Sequence, residues 1–413
     1  LRNFAIAAPC ALHENMSGPL EGVRVVDLTS VLMGPYATQI LGDYGAEVIK
    51  IEAPAGDVMR DVGPMRNPRM GPIFLNTNRN KRSVVLDLKQ PAAREVVLRL
   101  ARNADIFVYN VRPQAMARLG LGHADVAAVN PAIIYAGLVG FGSSGPYAGR
   151  PAYDDLIQGM AGVPTLVAQM AGEPRYAPLT IADRTVGLAA AGAIMAALFH
   201  RERTGRGQAL EVPMFETMVQ YALADHIGGK TFEPPIGPPG YPRLLAPERK
   251  PYPTLDGYLC ALIYTDRQWD AFFDLAGRGD LKCDPRFADL GSRTRHIGEL
   301  YGLLGEVVAS RTTAEWVKLL RDADIPCAPL NSLDDVLSDE HLRAIGFFRR
   351  EQHPSEGPIM SMDVASKFES TPAEIRRHAP RLGEHTLEVL KEAGYDAGAI
   401  EAMLASGAAV AVC

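Results

Sequence analysis

Pro178-Leu-Thr-Ile-Ala-Asp183-Arg-Thr-Val-Gly-Leu188 opens the stretch on which the fold turns. An Ala-rich apolar run carries it to Phe199, and His200-Arg-Glu-Arg-Thr-Gly-Arg-Gly207 closes it. The fourteen residues from Val186 to Phe199 carry no charge. That run is too short to span a bilayer and predicts a buried core helix. Asp183 lies where the helix should begin, and two roles fit it. As an N-cap it would accept hydrogen bonds from first-turn N–H groups. As a carboxylate kept ionised by the helix N-terminus, at the rim of a core, it would serve as a nucleophile. The local pattern leaves both open.

Upstream, strand and helix patterns alternate. Strands are predicted at Val23–Leu28, Ala46–Ile51, Ser83–Leu88, Asp105–Val111 and Ala132–Val139. Helices are predicted at 34–41, with Pro35 placed for a first turn, at Pro91–Ala104 with one apolar face, and at Pro113–Leu119. Such alternation implies right-handed crossovers and a largely parallel, doubly wound sheet. Ligands of such sheets bind beyond the strands' carboxyl ends, where Lys50, Asn110 and Arg112 fall.

Gly140-Phe-Gly142-Ser-Ser-Gly145 matches G-x-G-x-x-G after a strand, but Pro146, Gly149 and Pro151 block the helix that a dinucleotide site requires. A glycine-rich turn near an active site fits better. Tyr153-Asp154-Asp155 starts a helix, with Asp154 as its cap or as a ligand-orienting group. Beyond the central run come a strand at Ala209–Val212 and a helix at Met214–Ala224. A Pro/Gly-rich linker follows at Thr231–Pro253, and then a smaller α+β unit. Ile325-Pro-Cys-Ala-Pro329 leads the chain back.

At 413 residues two domains are the default. The net charge of −6 argues against a nucleic-acid or membrane-surface partner, so an anionic ligand needs a local basic site. Cys10, Cys260, Cys283, Cys327 and Cys413 form no C-x-x-C and no metal spacing, which suits a reducing cytoplasm. No metal site is expected. Residues 1–15 read as an extension before a natural start at Met16.

Eight quoted pieces in one order resemble the family III CoA-transferases. This group includes formyl-CoA transferase, carnitine CoA-transferase and α-methylacyl-CoA racemase. The pieces are Leu20-Glu-Gly-Val-Arg-Val-Val-Asp-Leu28, Gly34-Pro35, Gly45-Ala-Glu-Val-Ile-Lys-Ile-Glu52 and Asn78-Arg-Asn-Lys-Arg-Ser-Val-Val-Leu-Asp-Leu-Lys89. They continue with Asn110-Val-Arg-Pro113, Thr204-Gly-Arg-Gly-Gln208, Ile325-Pro-Cys-Ala-Pro329 and Leu382-Gly-Glu-His-Thr386. The resemblance implies an α/β fold: a Rossmann-like doubly wound large domain made from both chain ends (16–225 and 326–413), a smaller α+β domain (226–325), and an interlocked-ring homodimer. It places the catalytic aspartate on Asp183 and implies CoA transfer from a thioester to a carboxylic acid through mixed-anhydride and aspartyl-CoA intermediates. CoA is then a substrate, with no permanently bound cofactor. Carried over by position, Leu86, Asp87, Leu88 and Lys89 flank the adenine. Asn110, Arg112 and Arg118 meet the phosphates or pantetheine, and Tyr153 and Asp154 lie near the thiol. Oxyanion donors are expected in Gly140–Gly142 or in the loop holding Gly237 and Gly240.

Some positions depart from that pattern. Formyl-CoA transferases carry Gln where Leu32 stands, a glycine run where Ile236-Gly-Pro-Pro-Gly240 stands, and in some members Arg where Ala53 stands. The substrate expectation therefore moves from oxalate or formate to a small dicarboxylate pair of the succinyl-CoA type, with Arg243 and Arg249 as candidates for its distal carboxylate. The racemase alternative needs a second acid/base opposite the aspartate. Racemases place His where Tyr153 stands, and a phenol of ordinary pKa about 10 replaces it poorly. A non-catalytic CoA-binding protein is the third alternative, against which the intact Asp183 motif stands.

Overall fold

The computed structural model describes residues 18–412. The proposed extension 1–15, Met16, Cys10 and Cys413 lie outside the described residues. The chain divides into two units. One comprises residues up to Ile157, Thr180–Thr217 and the chain from Arg343; the other comprises Gln158–Leu179 and Met218–Leu342. The second unit thus takes in the expected 226–325 together with a segment ahead of the central helix and a longer return.

The first unit is a mixed α/β fold around a mostly parallel sheet. Its strands are β1 (Arg24–Leu28), β2 (Glu47–Glu52), β3 (Lys81–Leu86), β4 (Ile106–Tyr109), β5 (Ile134–Val139) and β6 (Gln208–Pro213). They run parallel in the order 3-2-1-4-5-6, and Ala409–Val410 adds antiparallel to β3. Every residue of β3, β4 and β5 is buried, as a sheet covered on both faces requires. On one face Val26, Ile49, Val84 and Phe107 pack with the helices Pro91–Ala101, Thr386–Glu392 and Ala397–Ala405. On the other, Asp27 meets Thr38 of the helix Met33–Asp43.

The order reverses between β1 and β4, so a crevice opens at their carboxyl ends. Three carboxyl ends fall two or three residues short of the sequence expectation, each for a local reason. β3 stops at Leu86 because Asp87 turns the chain, its carboxylate accepting from the Lys89 N–H at 3.1 Å. β4 stops at Tyr109 because the Asn110 side chain bonds to a neighbouring loop. The helix from Pro91 ends at Ala101 because Asn130 caps the carbonyls of Ala101 and Ala104, at 2.9 and 2.8 Å.

The central helix spans Ile181–Thr204, 24 residues against the fourteen of its uncharged run. By length and composition alone it could cross a bilayer. In this fold Ala182, Val186, Gly187, Ala190, Ala191, Ile194, Ala197 and Leu198 are buried. Gly187 marks the crossing with the helix Met33–Asp43: a Cβ there would lie 2.8 Å from the Met33 carbonyl oxygen and 3.0 Å from the Tyr36 ring. Gly205 ends the helix at φ 70°, a left-handed position natural to glycine.

The second unit has its own core. Trp269, Phe272, Phe273, Leu300, Leu304 and Trp316 lie under a three-stranded antiparallel sheet of Tyr252–Pro253, Tyr258–Ala261 and Cys327–Pro329. Its helices Asp266–Leu275 and Thr313–Asp322 open on capping boxes, Thr265 with Gln268 and Thr312 with Glu315. A helix at Val163–Ala171 was not expected.

Candidate active site

Asp183 is not the cap of its helix. Thr180 holds the N-cap position without a side-chain bond, and Asp183 is the third helical residue. The capping is done from another helix. Asp154, first residue of Asp154–Met160, accepts from the Ala182 N–H at 3.0 Å and the Asp183 N–H at 3.4 Å. Asp154 therefore caps the central helix from the helix that it begins. The Asp183 carboxylate is left free of capping, half-buried, and lines a cavity of about 400 Å³.

Its ionisation is also not what a helix N-terminus alone would give. Burial, then the charge of Asp154, push the Asp183 pKa up to about 6, against the opposing pull of Arg184 and a backbone hydrogen bond from Met33. Arg184 itself stacks over the Tyr36 ring at 4.5 Å. The pair resembles other couples of carboxyl groups whose charges hinder one another: Asp154, tied to backbone N–H groups, and Asp183, facing open space.

The cavity beside Asp183 is walled by the turn before Met33, by Asn110–Gln114, by the end of β5 with Gly140 and Phe141, and by Ala148–Tyr153. Arg112, Arg150 and Tyr153 bring exposed polar ends to its rim. A second cavity of about 390 Å³ lies beyond the ends of β1, β2 and β3. Leu86, Asp87, Leu88 and Lys89 all line it, and the two cavities share Ser30 and Val111. A long ligand could thus run from the end of β3 to Asp183.

The structure gives several of the other expected residues surroundings of their own. Asn110 borders the cavity, but its amide is engaged with Ser30, accepting from the N–H at 3.0 Å and donating to the carbonyl at 2.8 Å. It shapes the loop. Arg118 is exposed and lines neither cavity. Lys50 is fully buried, its ammonium held by Asp57 and the Thr29 carbonyl, so it offers no surface charge to a ligand. Gly140 packs so closely on Ala152 that a Cβ would lie 2.4 Å from the Ala152 Cβ. The Gly142 N–H cannot serve an oxyanion here: it donates to Glu216 Oε1 at 2.9 Å, while the Ser143 N–H donates to Glu211 at 2.8 Å. No helix follows Gly145 until Asp154.

Gly237 and Gly240 belong to the second unit. The Gly240 N–H donates to the His226 carbonyl at 2.7 Å, and Gly237 lies against Gly229. Also in that unit, Arg243, Arg249 and Lys250 line a cavity of about 320 Å³ with Tyr252 and Tyr301. The residues that sequence reasoning missed are Met33, Asp57, Glu211 and Glu216. Glu216 carried a signal, an acid in the first turn of the helix Met214–His226, though that pattern reads as ordinary helix capping.

The model of CoA-transferase family III matches residues 20–386. An acyl-CoA transferase of Fusarium pseudograminearum is 37% identical over 397 residues, covering 93% of this chain and 86% of that protein. A succinyl-CoA:glutarate CoA-transferase of Mus musculus is 35% identical over 401 residues, covering 94% and 90%. The crystal structure of a CaiB/BaiF family protein from Brucella suis is similar with a TM-score of 0.77 at 30% identity, over 91% of this chain and 100% of that one.

Proposed function

Because the chain belongs to CoA-transferase family III, we propose that it moves CoA from an acyl-CoA thioester to a carboxylic acid with Asp183 as the covalent nucleophile. The observation that carries this reading is the Asp183 carboxylate at the wall of one cavity that adjoins, across Ser30 and Val111, another lined by Leu86–Lys89. A nucleoside end fits the second cavity, and a thioester end fits the first.

The chemistry balances without a proton gained or lost. An Asp183 oxygen attacks the thioester carbonyl, the C–S bond breaks, and CoA leaves as thiolate from a mixed anhydride. The thiolate attacks the aspartyl carbonyl, and the donor acid leaves as carboxylate from an aspartyl-CoA thioester. The acceptor carboxylate attacks that thioester and expels the thiolate again. The thiolate then takes the new acyl group and restores Asp183. A carboxylate suits the task because every intermediate keeps an activated acyl bond. The ionised form is the nucleophile, and it prevails above the pKa of about 6. Arg112 is assigned to the CoA phosphates, Lys89 with Leu86–Leu88 to the adenine, and Tyr153 to the thiol end. Gly140 is retained as oxyanion donor, and Gly142 is not, since Glu216 holds its N–H.

We assign the substrates to the small dicarboxylates. Two points support this: the name of the mouse relative, and Leu32, which is 5% exposed and outside the cavity lining where formyl-CoA transferases carry Gln. A cytoplasmic interlocked homodimer completes the reading; Cys260, Cys283 and Cys327 are free thiols.

The test is mass spectrometry of the protein mixed with succinyl-, acetyl-, malonyl- or 2-methylacyl-CoA and quenched with hydroxylamine or borohydride. The expected result is a covalent change at Asp183 with some thioesters only, which names the donor class. No adduct, together with α-proton exchange from 2-methylacyl-CoA in D₂O, would replace transfer by racemisation. Neither signal would leave a CoA-binding protein or a donor outside this panel.

A further inference from the structure

Residues 29–33 join β1 to the helix Met33–Asp43 and, through Ser30, form a wall common to both cavities. The first three residues of this turn are held from different parts of the sheet and its loops. The Thr29 N–H and hydroxyl donate to Asp27 Oδ1 of β1 at 2.9 and 2.5 Å. Ser30 exchanges two hydrogen bonds with Asn110 beyond β4. The third hold comes from β2 and the loop after it. Lys50 Nζ donates to the Thr29 carbonyl at 2.7 Å and to Asp57 Oδ2 at 3.0 Å, while Asp57 Oδ1 accepts from the Val31 N–H at 3.1 Å.

Val31 has φ 71°, a left-handed conformation that a β-branched residue rarely adopts. Such geometry persists only where the surroundings over-determine it. Two residues on, Met33 lines the first cavity together with Asp183, where its backbone favours the charged carboxylate, and its carbonyl faces the central helix at Gly187, one turn from Asp183. The Lys50 and Asp57 side chains are 0% and 1% exposed. A buried ion pair is weak evidence of stabilisation, since apolar pairs often replace one without loss. The turn it holds supplies a different reason for its presence.

We infer that Lys50 and Asp57 form a positioning pair for the nucleophile: by holding Val31 in its left-handed turn they set where the Met33 backbone meets Asp183. This rests on the nucleophile reading given above. Neither residue is catalytic, because each acts through the turn.

The experiment uses the full chain carrying Lys50→Met and Asp57→Leu together. The two charges go at once, and their charged neighbours keep partners, Asp27 with Lys81 and Glu52 with Arg60. The rate of Asp183 adduct formation at saturating donor should fall about 10- to 100-fold, as a misplaced nucleophile implies. Both residues border the second cavity, so the donor KM must be read too, and it should stay within about twofold of wild type. The acid limb of adduct formation should move up by roughly half to one pH unit, because the Met33 bond favours the charged carboxylate. The other groups facing Asp183 are untouched: Asp154 from the neighbouring helix, Arg184 on its own, and Arg112, Arg150, Tyr153 and Glu211 around the cavity.

A folded variant with the wild-type rate and an unmoved limb overturns the inference. So does a rate loss accounted for wholly by KM. Should the double variant not fold, Asp57→Asn is set against Asp57→Ala, both of which leave Lys50 without its carboxylate. Asn keeps an acceptor for the Val31 N–H and Ala does not, so Ala should be at least about tenfold slower than Asn; equal rates overturn the inference. Wild-type protein that forms no adduct overturns the nucleophile reading and this inference with it. A wild-type adduct beside an unaffected variant overturns this inference alone.

Discussion

Asp183 sits under two opposed fields. A helix N-terminus favours its charged form by roughly 0.3–1 kcal/mol. Burial and the adjacent Asp154 disfavour it, and the pKa near 6 says that they prevail by about two pH units over the ordinary 3.8, on the order of 3 kcal/mol. Because the folded pKa lies above the unfolded one, the native state binds the extra proton between about pH 4 and 6. Stability therefore falls as pH rises through that window, and above it the ionised carboxylate is a cost that the fold carries. Asp183→Asn removes the charge and keeps an acceptor for Met33. Its thermal midpoint at pH 7.5 should exceed wild type by roughly a few degrees, with the difference vanishing near pH 4. Equal midpoints at pH 7.5 would mean that the carboxylate is not strained. The sequence made Asp183 visible as a cap or a nucleophile, but not the groups that tune it. Asp154 is 29 positions away and Met33 far upstream, and only the fold joins them. The burial of Lys50 was not legible because Asp57, seven residues on, bonds to it only after the chain has turned at Pro54–Gly56. The partner of the Gly142 N–H was not legible either, because nothing local announces that Glu216 will claim it.

The element that positions Asp183 is a pair of crossed helices. Met33–Asp43 and Ile181–Thr204 approach closely at Gly187, where alanine's Cβ would lie 2.8 Å from a backbone oxygen that cannot swing aside. In an isolated helix Gly→Ala gains about 1 kcal/mol. Here overpacking at the crossing should cost about 1–3 kcal/mol. Gly187→Ala should therefore lower the urea midpoint despite its better helix propensity, and slow turnover by shifting Met33 against Asp183. A higher midpoint would show that the helices separate freely. Elements of this kind were legible from pattern: the strands of the sheet are short apolar runs, and the central helix is an uncharged one. Their ends were not, because side chains elsewhere fix them, Asp87 stopping β3 and Asn130 stopping the helix from Pro91. The helix Val163–Ala171 was missed because Gly162 and Pro164 read as breakers, although they occupy its N-cap and first turn, where both are at home.

At the scale of the whole molecule, the central helix buries one side and exposes another. Leu188 and Phe199 are 56% and 64% exposed, eleven positions and therefore three turns apart on one face, with Ala189, Gly192 and Ala196 exposed between them. A single chain has no use for an apolar stripe of this kind, and the proposed second copy would cover it. Interlocking makes a sharper claim than dimerisation. Two closed rings threaded through each other cannot part while folded, so subunits exchange only as fast as chains unfold, over hours to days for a stable protein. Isotopically heavy and light protein mixed at neutral pH should therefore give native mass spectra of two pure dimers after a day. The mixed dimer should appear only after joint denaturation and refolding. Mixed dimers within minutes would leave a dimer that is not threaded, and a monomer mass would leave the stripe to some other partner. Phe199→Glu places a charge on the same stripe. If the stripe is the dimer face, its soluble yield should fall while the core of the second unit, which shares no residue with it, still melts in one transition.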